Sequence, residues 1–138
     1  METQWKASIL VMEDNPALSR LYAKILTNLG YYVHIALALK DARKLLLSGI
    51  TFDVFLCDMQ MGSHVSTDLL YEMDEFLTAR GTQVVIITGN DRSIYASVIA
   101  DLKIGLVLEK PINFRTFENA ITTVLSSSQP LNPRSSIA

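Results

Sequence analysis

The chain of 138 residues has little of three features that would restrict its surroundings: cysteine, excess charge and long apolar runs. Its single cysteine, Cys57, cannot form an internal disulfide, which is typical of proteins in a reducing cytoplasm. Twelve Lys and Arg against fourteen Asp and Glu give a net charge of −2, so nothing favours broad binding to nucleic acid or anionic membranes. The longest apolar run, Ile35 to Leu39, has five residues and is too short to span a bilayer. These absences predict a cytoplasmic domain without direct membrane or nucleic-acid contact.

What the chain does have is enough apolar side chains for a packed core. Hydrophobic residues make up 49% and charged residues 19% of the sequence, which argues against disorder. The length is that of a typical single domain. Five short apolar runs are rich in Val and Ile and lack polar alternation, the pattern of strands buried on both faces. They occupy residues 7–12, 32–37, 52–57, 83–88 and 106–109.

Helical patterns separate these runs. The clearest pattern predicts a helix with Asn15 as its N-cap and Pro16 in its first turn, and Gly30 ends it. Ser66 or Thr67 is suited to cap the third helix, and Asp91 the fourth. The four further patterns predict a second helix over residues 40–48, a third that contains residues 69–77 and ends at Gly81, a fourth over about 93–102 and a fifth that contains residues 114–125. Strand and helix thus alternate five times, which predicts an α/β fold with a parallel sheet covered by helices on both faces.

The composition changes after residue 125. Residues 126–138 contain five serines, two prolines and one charged residue, as in a flexible tail or the stub of a linker. We therefore expect the domain to comprise residues 1–125.

Polar side chains follow four of the five predicted strands. Glu13 and Asp14 follow the first strand, Asp58 the third, Thr88 the fourth and Lys110 the fifth. Because the carboxyl ends of parallel strands meet at one edge of a sheet, we expect these side chains to converge. Clustered carboxylates repel one another, and a hard cation with oxygen ligands, such as Mg²⁺, relieves that repulsion. With a lysine and a hydroxyl added, the cluster suits phosphoryl transfer, and Asp58 on the central strand is the candidate nucleophile.

The same residues lie in four motifs with characteristic intervals. The motifs are ILVMEDN at 9–15, FLCDM at 55–59, IITG at 86–89 and EKP at 109–111. The successive intervals from Asp14 to Asp58, Thr88 and Lys110 are 44, 30 and 22 residues. Over about residues 6–125 the chain resembles the receiver domain of two-component response regulators, the CheY-like superfamily. The resemblance implies a flavodoxin-like, doubly wound sheet of strand order 2-1-3-4-5 with five helices.

The resemblance also implies a function in a phosphorelay. Asp58 would accept a phosphoryl group from a histidine kinase or a phosphotransfer protein, while Thr88 and Lys110 would hold the phosphoryl oxygens. The implied ligands of Mg²⁺ or Mn²⁺ are three carboxylates and one backbone carbonyl, those of Glu13, Asp14, Asp58 and Gln60. Such a domain is no turnover enzyme, because it catalyses only its own phosphorylation and dephosphorylation. Its output is a changed protein-binding surface, read by an output domain or protein that the sequence does not identify.

Three positions depart from the family pattern. Residues 61–66 lack the proline that usually follows the phosphoacceptor, so we expect a mobile loop there. Val107 stands where the family often has an aromatic residue. We therefore expect the signal to pass through this loop and the fourth helix rather than through Val107. Gln60 and Asn90, two residues after the acceptor and the threonine, are not carboxylates but can hydrogen-bond a water molecule.

Two other functions compete with this interpretation. A degenerate receiver would bind partners without being phosphorylated, although the complete set of site residues counts against it. A phosphatase of the haloacid-dehalogenase type would use the same aspartyl-phosphate chemistry. Such enzymes have a second aspartate two residues after the nucleophile, where this chain has Gln60.

Overall fold

A five-stranded parallel sheet forms the centre of the protein. The structure, a computed structural model, describes residues 4–89 and 91–128. Its strands are β1 (Ser8–Met12), β2 (Tyr32–Ala36), β3 (Val54–Asp58), β4 (Gln60–Met61), β5 (His64–Val65), β6 (Gln83–Thr88) and β7 (Leu106–Glu109). The sheet has the order β2-β1-β3-β6-β7, and β4 and β5 form a separate antiparallel pair. The order is the predicted 2-1-3-4-5 for the five strands of the sheet, which confirms the fold.

In the part of the chain that the structure describes, four α-helices and one 3₁₀ helix connect strands, and a fifth α-helix follows the last strand. They are α1 (Pro16–Asn28), α2 (Leu39–Leu46), α3 (Thr67–Arg80), the 3₁₀ helix (Arg92–Tyr95), α4 (Ala96–Asp101) and α5 (Phe114–Ser128). The predicted fourth helix is therefore divided into a 3₁₀ turn and a short α-helix. Helix α5 includes residues 126–128, which the sequence assigned to a tail, and residues 129–138 lie outside the described part. No helix in the described ranges is long and apolar enough to cross a membrane.

Alternate residues of the central strands pack into two separate apolar layers. In β1, Leu10 and Met12 belong to the layer under α2, α3 and α4, whereas Ile9 and Val11 belong to the layer under α1 and α5. The alternation follows from the two-residue repeat of a strand, which sends successive side chains to opposite faces. The strands are apolar on both faces because helices cover both.

The N-terminus of α1 is fixed as the sequence predicted. The side-chain oxygen of Asn15 accepts a hydrogen bond from the Leu18 N–H at 3.1 Å, and Pro16 occupies the first turn. The helix therefore begins directly after the carboxyl end of β1.

The prediction of burial on both faces is wrong for β2. Tyr32, Ile35 and the following Leu37 are exposed. The reason is the position of β2 at the edge of the sheet, where β1 is its single strand neighbour among the described residues. Hydrophobicity alone does not distinguish an edge strand from a central one.

Residues 60–65 form a hairpin where the sequence predicted a mobile loop. Gln60 pairs with Val65 and Met61 with His64. Gly62 has a φ of 64°, a left-handed conformation that glycine adopts without the steric cost of a Cβ atom. Met61 is buried in the layer under α2 and α3, which anchors the hairpin to the domain.

Candidate functional site

The carboxyl ends of β1, β3, β6 and β7 bring the predicted site residues to one edge of the sheet. Asp58 is the last residue of the central strand β3 and is only 1% exposed. Glu13 follows β1 and is 2% exposed, and Thr88 ends β6 and is fully buried. Lys110 follows β7, and its backbone N–H donates to the Thr88 carbonyl at 2.8 Å. Parallel pairing therefore places four distant segments around one carboxylate.

Both oxygens of the Asp58 carboxylate accept hydrogen bonds. Oδ1 accepts from the Gln60 backbone N–H at 2.9 Å, and Oδ2 accepts from the Lys110 ammonium at 2.9 Å. These two contacts fix the plane of the carboxylate. They also offset part of the cost of burying its charge.

Glu13 shares Lys110 with Asp58. Its Oε1 lies 3.2 Å from Lys110 Nζ, and its Oε2 accepts from the Asn15 backbone N–H at 3.1 Å. Burial, together with the nearby Asp58 carboxylate, raises the pKa of Glu13 to about 7, although Asn15 and Lys110 act in the opposite direction. Without a further cation, Glu13 is thus partly protonated at neutral pH.

Lys110 stays charged in this setting. Burial lowers the pKa of its ammonium, but hydrogen bonds and charge attraction from Asp58 and Glu13 outweigh burial, and the net shift is upward. One ammonium therefore faces two buried carboxylates, so the cluster keeps a negative charge that a further cation can neutralise.

Asp14 completes an acidic group that fits a divalent cation. It is exposed, and one oxygen each of Glu13, Asp14 and Asp58 lie within 4.8 Å of one another. A Cβ atom at Gly62 would stand 3.7 Å from Asp14 Oδ2, so the hairpin turn runs beside this carboxylate. A donor set made only of oxygen atoms suits a hard cation such as Mg²⁺.

Ser66 is a supporting residue whose role the sequence analysis missed. Ser66 occupies the predicted N-cap position of α3, but its side chain makes no capping hydrogen bond to that helix. Its Oγ instead donates to the Asp58 backbone carbonyl at 2.6 Å, and its N–H donates to the Met59 carbonyl. The buried Ser66 thus ties the end of the hairpin to the end of β3. A serine before a helix gives the same sequence signal for either role.

The other predicted residues contact the site less directly. Gln60 contacts Asp58 through its backbone N–H, whereas the family resemblance implies that its carbonyl binds the metal. Asn90 lies outside the described residues. Cys57, next to the acceptor, is fully buried, and burial raises the pKa of its thiol to about 12. It is therefore an apolar packing residue rather than a reactive thiol.

An apolar groove adjoins Lys110 on the side of α1 and α5. It is formed by the first turns of α1, the segment that precedes α5 and the first residue of α5, and Leu21 and Phe114 are its most exposed apolar side chains. Tyr22 lies at its base, where burial raises the pKa of the phenol to about 12. An apolar surface beside a charged site suits the docking of a protein partner.

Comparisons with known proteins identify the fold and the family. A family model described as the response regulator receiver domain matches residues 9–122. No match was found among curated proteins.

Among solved structures, a CheY-like receiver domain protein from Methanospirillum hungatei JF-1 is 22% identical, with 90% of this chain and 97% of that chain covered and a TM-score of 0.79. A receiver domain protein from Clostridium thermocellum is also 22% identical, with 91% and 98% covered and a TM-score of 0.79. The response regulator TrrA from Thermotoga maritima, solved in complex with Mg²⁺-BeF, is 19% identical, with 86% and 99% covered and a TM-score of 0.74. These structures share the fold, and the family model covers most of the sequence. The chain belongs to the response regulator receiver domain family, whose members are signalling domains rather than classical enzymes.

Proposed function

We propose that the domain receives a signal as a phosphoryl group on Asp58. The observation that carries the proposal is the Lys110 ammonium, which contacts Asp58 Oδ2 at 2.9 Å and Glu13 Oε1 at 3.2 Å where three carboxylates meet. A buried carboxylate can act as a nucleophile, and the cation held beside it attracts an anionic phosphoryl group. The same ammonium balances the charge that this group brings.

In the proposed transfer, an Asp58 carboxylate oxygen attacks the phosphorus atom of a phosphohistidine on the donor protein. The P–N bond breaks, and the imidazole nitrogen keeps the electron pair and takes a proton from solvent. Lys110 and Thr88 hold the phosphoryl oxygens. Because both Asp58 oxygens are already oriented, the chain supplies mainly positioning and charge compensation, as phosphoryl transfer requires.

The proposed ligands of Mg²⁺ or Mn²⁺ are the Glu13, Asp14 and Asp58 carboxylates and the Gln60 carbonyl. The oxygen-only donor set supports this assignment, as does the Mg²⁺-BeF complex of the Thermotoga maritima relative. When bound, the cation offsets the negative charge shared by the carboxylates and the phosphoryl oxygens. Glu13 is then held as a carboxylate, because a metal ligand must lose its proton.

The proposed donor is a histidine kinase or a phosphotransfer protein that docks on the groove beside Lys110. That groove lies within reach of Asp58 and exposes Leu21 and Phe114. After transfer, a changed surface of the domain binds an output domain or protein.

Mass spectrometry of the intact protein tests the phosphoacceptor. With acetyl phosphate and Mg²⁺, the wild type should gain one phosphoryl group, as the P–O bond breaks and acetate leaves. Asp58→Asn should gain none, because the amide is not a nucleophile. The matched control Asp74→Asn changes an aspartate of α3 away from the site and should be labelled like the wild type.

Two outcomes would contradict the proposal. Full labelling of Asp58→Asn would move the acceptor to another residue. A folded wild type that stays unlabelled with both acetyl phosphate and a phosphohistidine donor would instead support the degenerate receiver, which binds partners without phosphorylation.

A further inference from the structure

The outer edge of β2 presents backbone groups that point away from the sheet. The Tyr32 N–H donates to the Ala7 carbonyl at 2.9 Å, and the Ala36 carbonyl accepts from the Glu13 N–H at 3.1 Å. The backbone N–H and C=O groups of Tyr32 and Ala36 therefore point towards β1. Since backbone groups alternate in direction along a strand, the N–H and C=O groups of Val33 and Ile35 point outward. β1 is the one strand paired with β2 in the described ranges.

The side chains along this edge are large and apolar. Tyr32 is 40% exposed on one face of the sheet and Ile35 is 36% exposed on the other, and the exposed Leu37 directly follows the strand. Trp5 lies beside the strand, with its ring centroid 5.6 Å from that of Tyr32. The edge thus combines outward backbone groups with apolar area that gains by leaving water.

The usual protection of a free edge is missing here. Edge strands generally carry charged residues, proline or a bulge, which prevent pairing with another strand. Residues 25–39 contain no Asp, Glu, Lys, Arg or Pro, and β2 pairs with β1 in an unbroken register. The 3₁₀ helix also exposes an apolar residue, Ile94, but this residue does not belong to a strand and offers no strand edge of its own.

We propose that this edge pairs antiparallel with β2 of a second copy of the chain, which joins the two sheets across a twofold axis. In such a twofold contact the same segment of both copies comes together, so a charged residue would lie near the same charge of the second copy. Residues 25–39 contain no Asp, Glu, Lys or Arg, so this repulsion does not arise. A register centred on His34 places Val33 opposite Ile35 of the second copy and the large Tyr32 opposite the small Ala36. The outward groups of Val33 and Ile35 then form the backbone hydrogen bonds of the pairing.

The contact is small, because a five-residue strand is its main component. An interface of this size fits a weak dimer that depends on concentration rather than an obligate one. It lies at the side of the sheet and uses none of the proposed site residues, so the proposal does not depend on phosphorylation of Asp58.

Sedimentation velocity between about 10 μM and 1 mM tests the dimer. The wild type should shift from monomer to dimer across this range, and Ile35→Lys should stay monomeric because two like charges would meet near the axis. The matched control Ile94→Lys makes the same change at a residue that is 64% exposed and distant in the fold, and should dimerise like the wild type. A wild type that is monomeric throughout, or an Ile35→Lys variant that dimerises normally, would overturn the proposal.

Amide hydrogen exchange tests the strand pairing in the wild type, without any variant. From dilute to concentrated protein, exchange at Val33 and Ile35 should slow about tenfold or more. The His34 N–H, which faces β1, is an internal control and should change little. Rates at Val33 and Ile35 that are the same at both concentrations would overturn the pairing, whatever the oligomeric state.

Discussion

The protonation of Glu13 links the stability of the domain to pH. Burial raises the pKa of this carboxyl from its ordinary 4.5 to about 7, so the folded protein keeps a proton that the unfolded chain releases between these values. The unfolded state therefore binds fewer protons in this range. The free energy of unfolding decreases as the pH rises through it and levels off above the folded-state pKa.

We expect Glu13→Gln, which cannot titrate, to lose this part of the pH dependence. In EDTA, the stability of the wild type relative to the variant should fall by about 2 to 3 kcal/mol between about pH 5 and pH 8. Urea unfolding at the two pH values measures the change. The same difference between the two proteins at both pH values would show that Glu13 titrates normally.

Ser66 supports the site through the backbone of the acceptor. Its hydroxyl is buried and donates to the Asp58 carbonyl at 2.6 Å, so Ser66→Ala leaves that carbonyl without this partner. We expect a loss of about 1 to 2 kcal/mol in the free energy of unfolding. Ser63→Ala, at the exposed turn of the same hairpin, should cost less than about 0.5 kcal/mol. Denaturant unfolding of both variants checks this, and equal effects would contradict the supporting role.

At the scale of the element, α1 divides its leucines between the core and the groove. Leu26 is buried in the layer under α1 and α5, whereas Leu21, which is 38% exposed, lines the groove beside Lys110. We expect Leu21→Arg to slow phosphoryl transfer from a cognate donor at least about tenfold and to leave labelling by acetyl phosphate unchanged. Leu47→Arg, at the exposed end of α2, is the control and should transfer normally. Rapid-quench kinetics with both donors measures the rates, and a parallel loss with both would indicate damage to the fold.

The segment at the end of β7 connects the site with the start of the 3₁₀ helix. Glu109 Oε2 accepts from the Arg92 backbone N–H at 3.1 Å, and the next residue, Lys110, contacts Asp58. If Asp58 is phosphorylated as proposed, we expect a movement of Lys110 to be passed through Glu109 to the N-terminus of the 3₁₀ helix and to α4. This contact offers the signal a route that does not need an aromatic residue in place of Val107.

We expect beryllofluoride with Mg²⁺ to shift backbone amides more at residues 60–66 and 91–99 than at 105–108. In Glu109→Ala the shifts at 91–99 should shrink, because the contact with Arg92 is lost. Glu75→Ala, on the exposed face of α3, should leave them unchanged. Heteronuclear NMR spectra measure these shifts. Shifts concentrated at Val107 and along α5 would contradict this route.

At the scale of the whole molecule, the parallel sheet and the meeting of Glu13, Asp58 and Lys110 could be predicted from the residues, whereas the strand order was implied by the family resemblance. Buried strands have a local apolar pattern, and parallel topology brings their carboxyl ends together. The exposure of Ile35 and the bond from Ser66 to the Asp58 carbonyl could not be predicted. Both features depend on which helix or strand packs next to the residue. A local sequence pattern does not specify that neighbour.

The two apolar layers predict that distant core substitutions act independently. Leu46 of α2 is buried in one layer and Ile121 of α5 in the other, with the sheet between them. Leu46→Ala should cost about 2 to 4 kcal/mol and Ile121→Val about 1 kcal/mol. In the double variant the two losses should add within about 0.5 kcal/mol. Denaturant unfolding of the three variants measures this, and a larger coupling energy would contradict the separation.

The separation of the layers also bears on how such a chain can diverge. Helices α1 and α5, which flank the proposed donor groove, share their packing with one face of the sheet, and α3 and α4 share theirs with the other. Substitutions that adapt the chain to a new donor can accumulate on the first side without disturbing the interior of the second. Substitutions on the outer faces of α3 and α4 can accumulate in the same way. The strands between the two layers, and the residues at their carboxyl ends, must be retained whichever side changes.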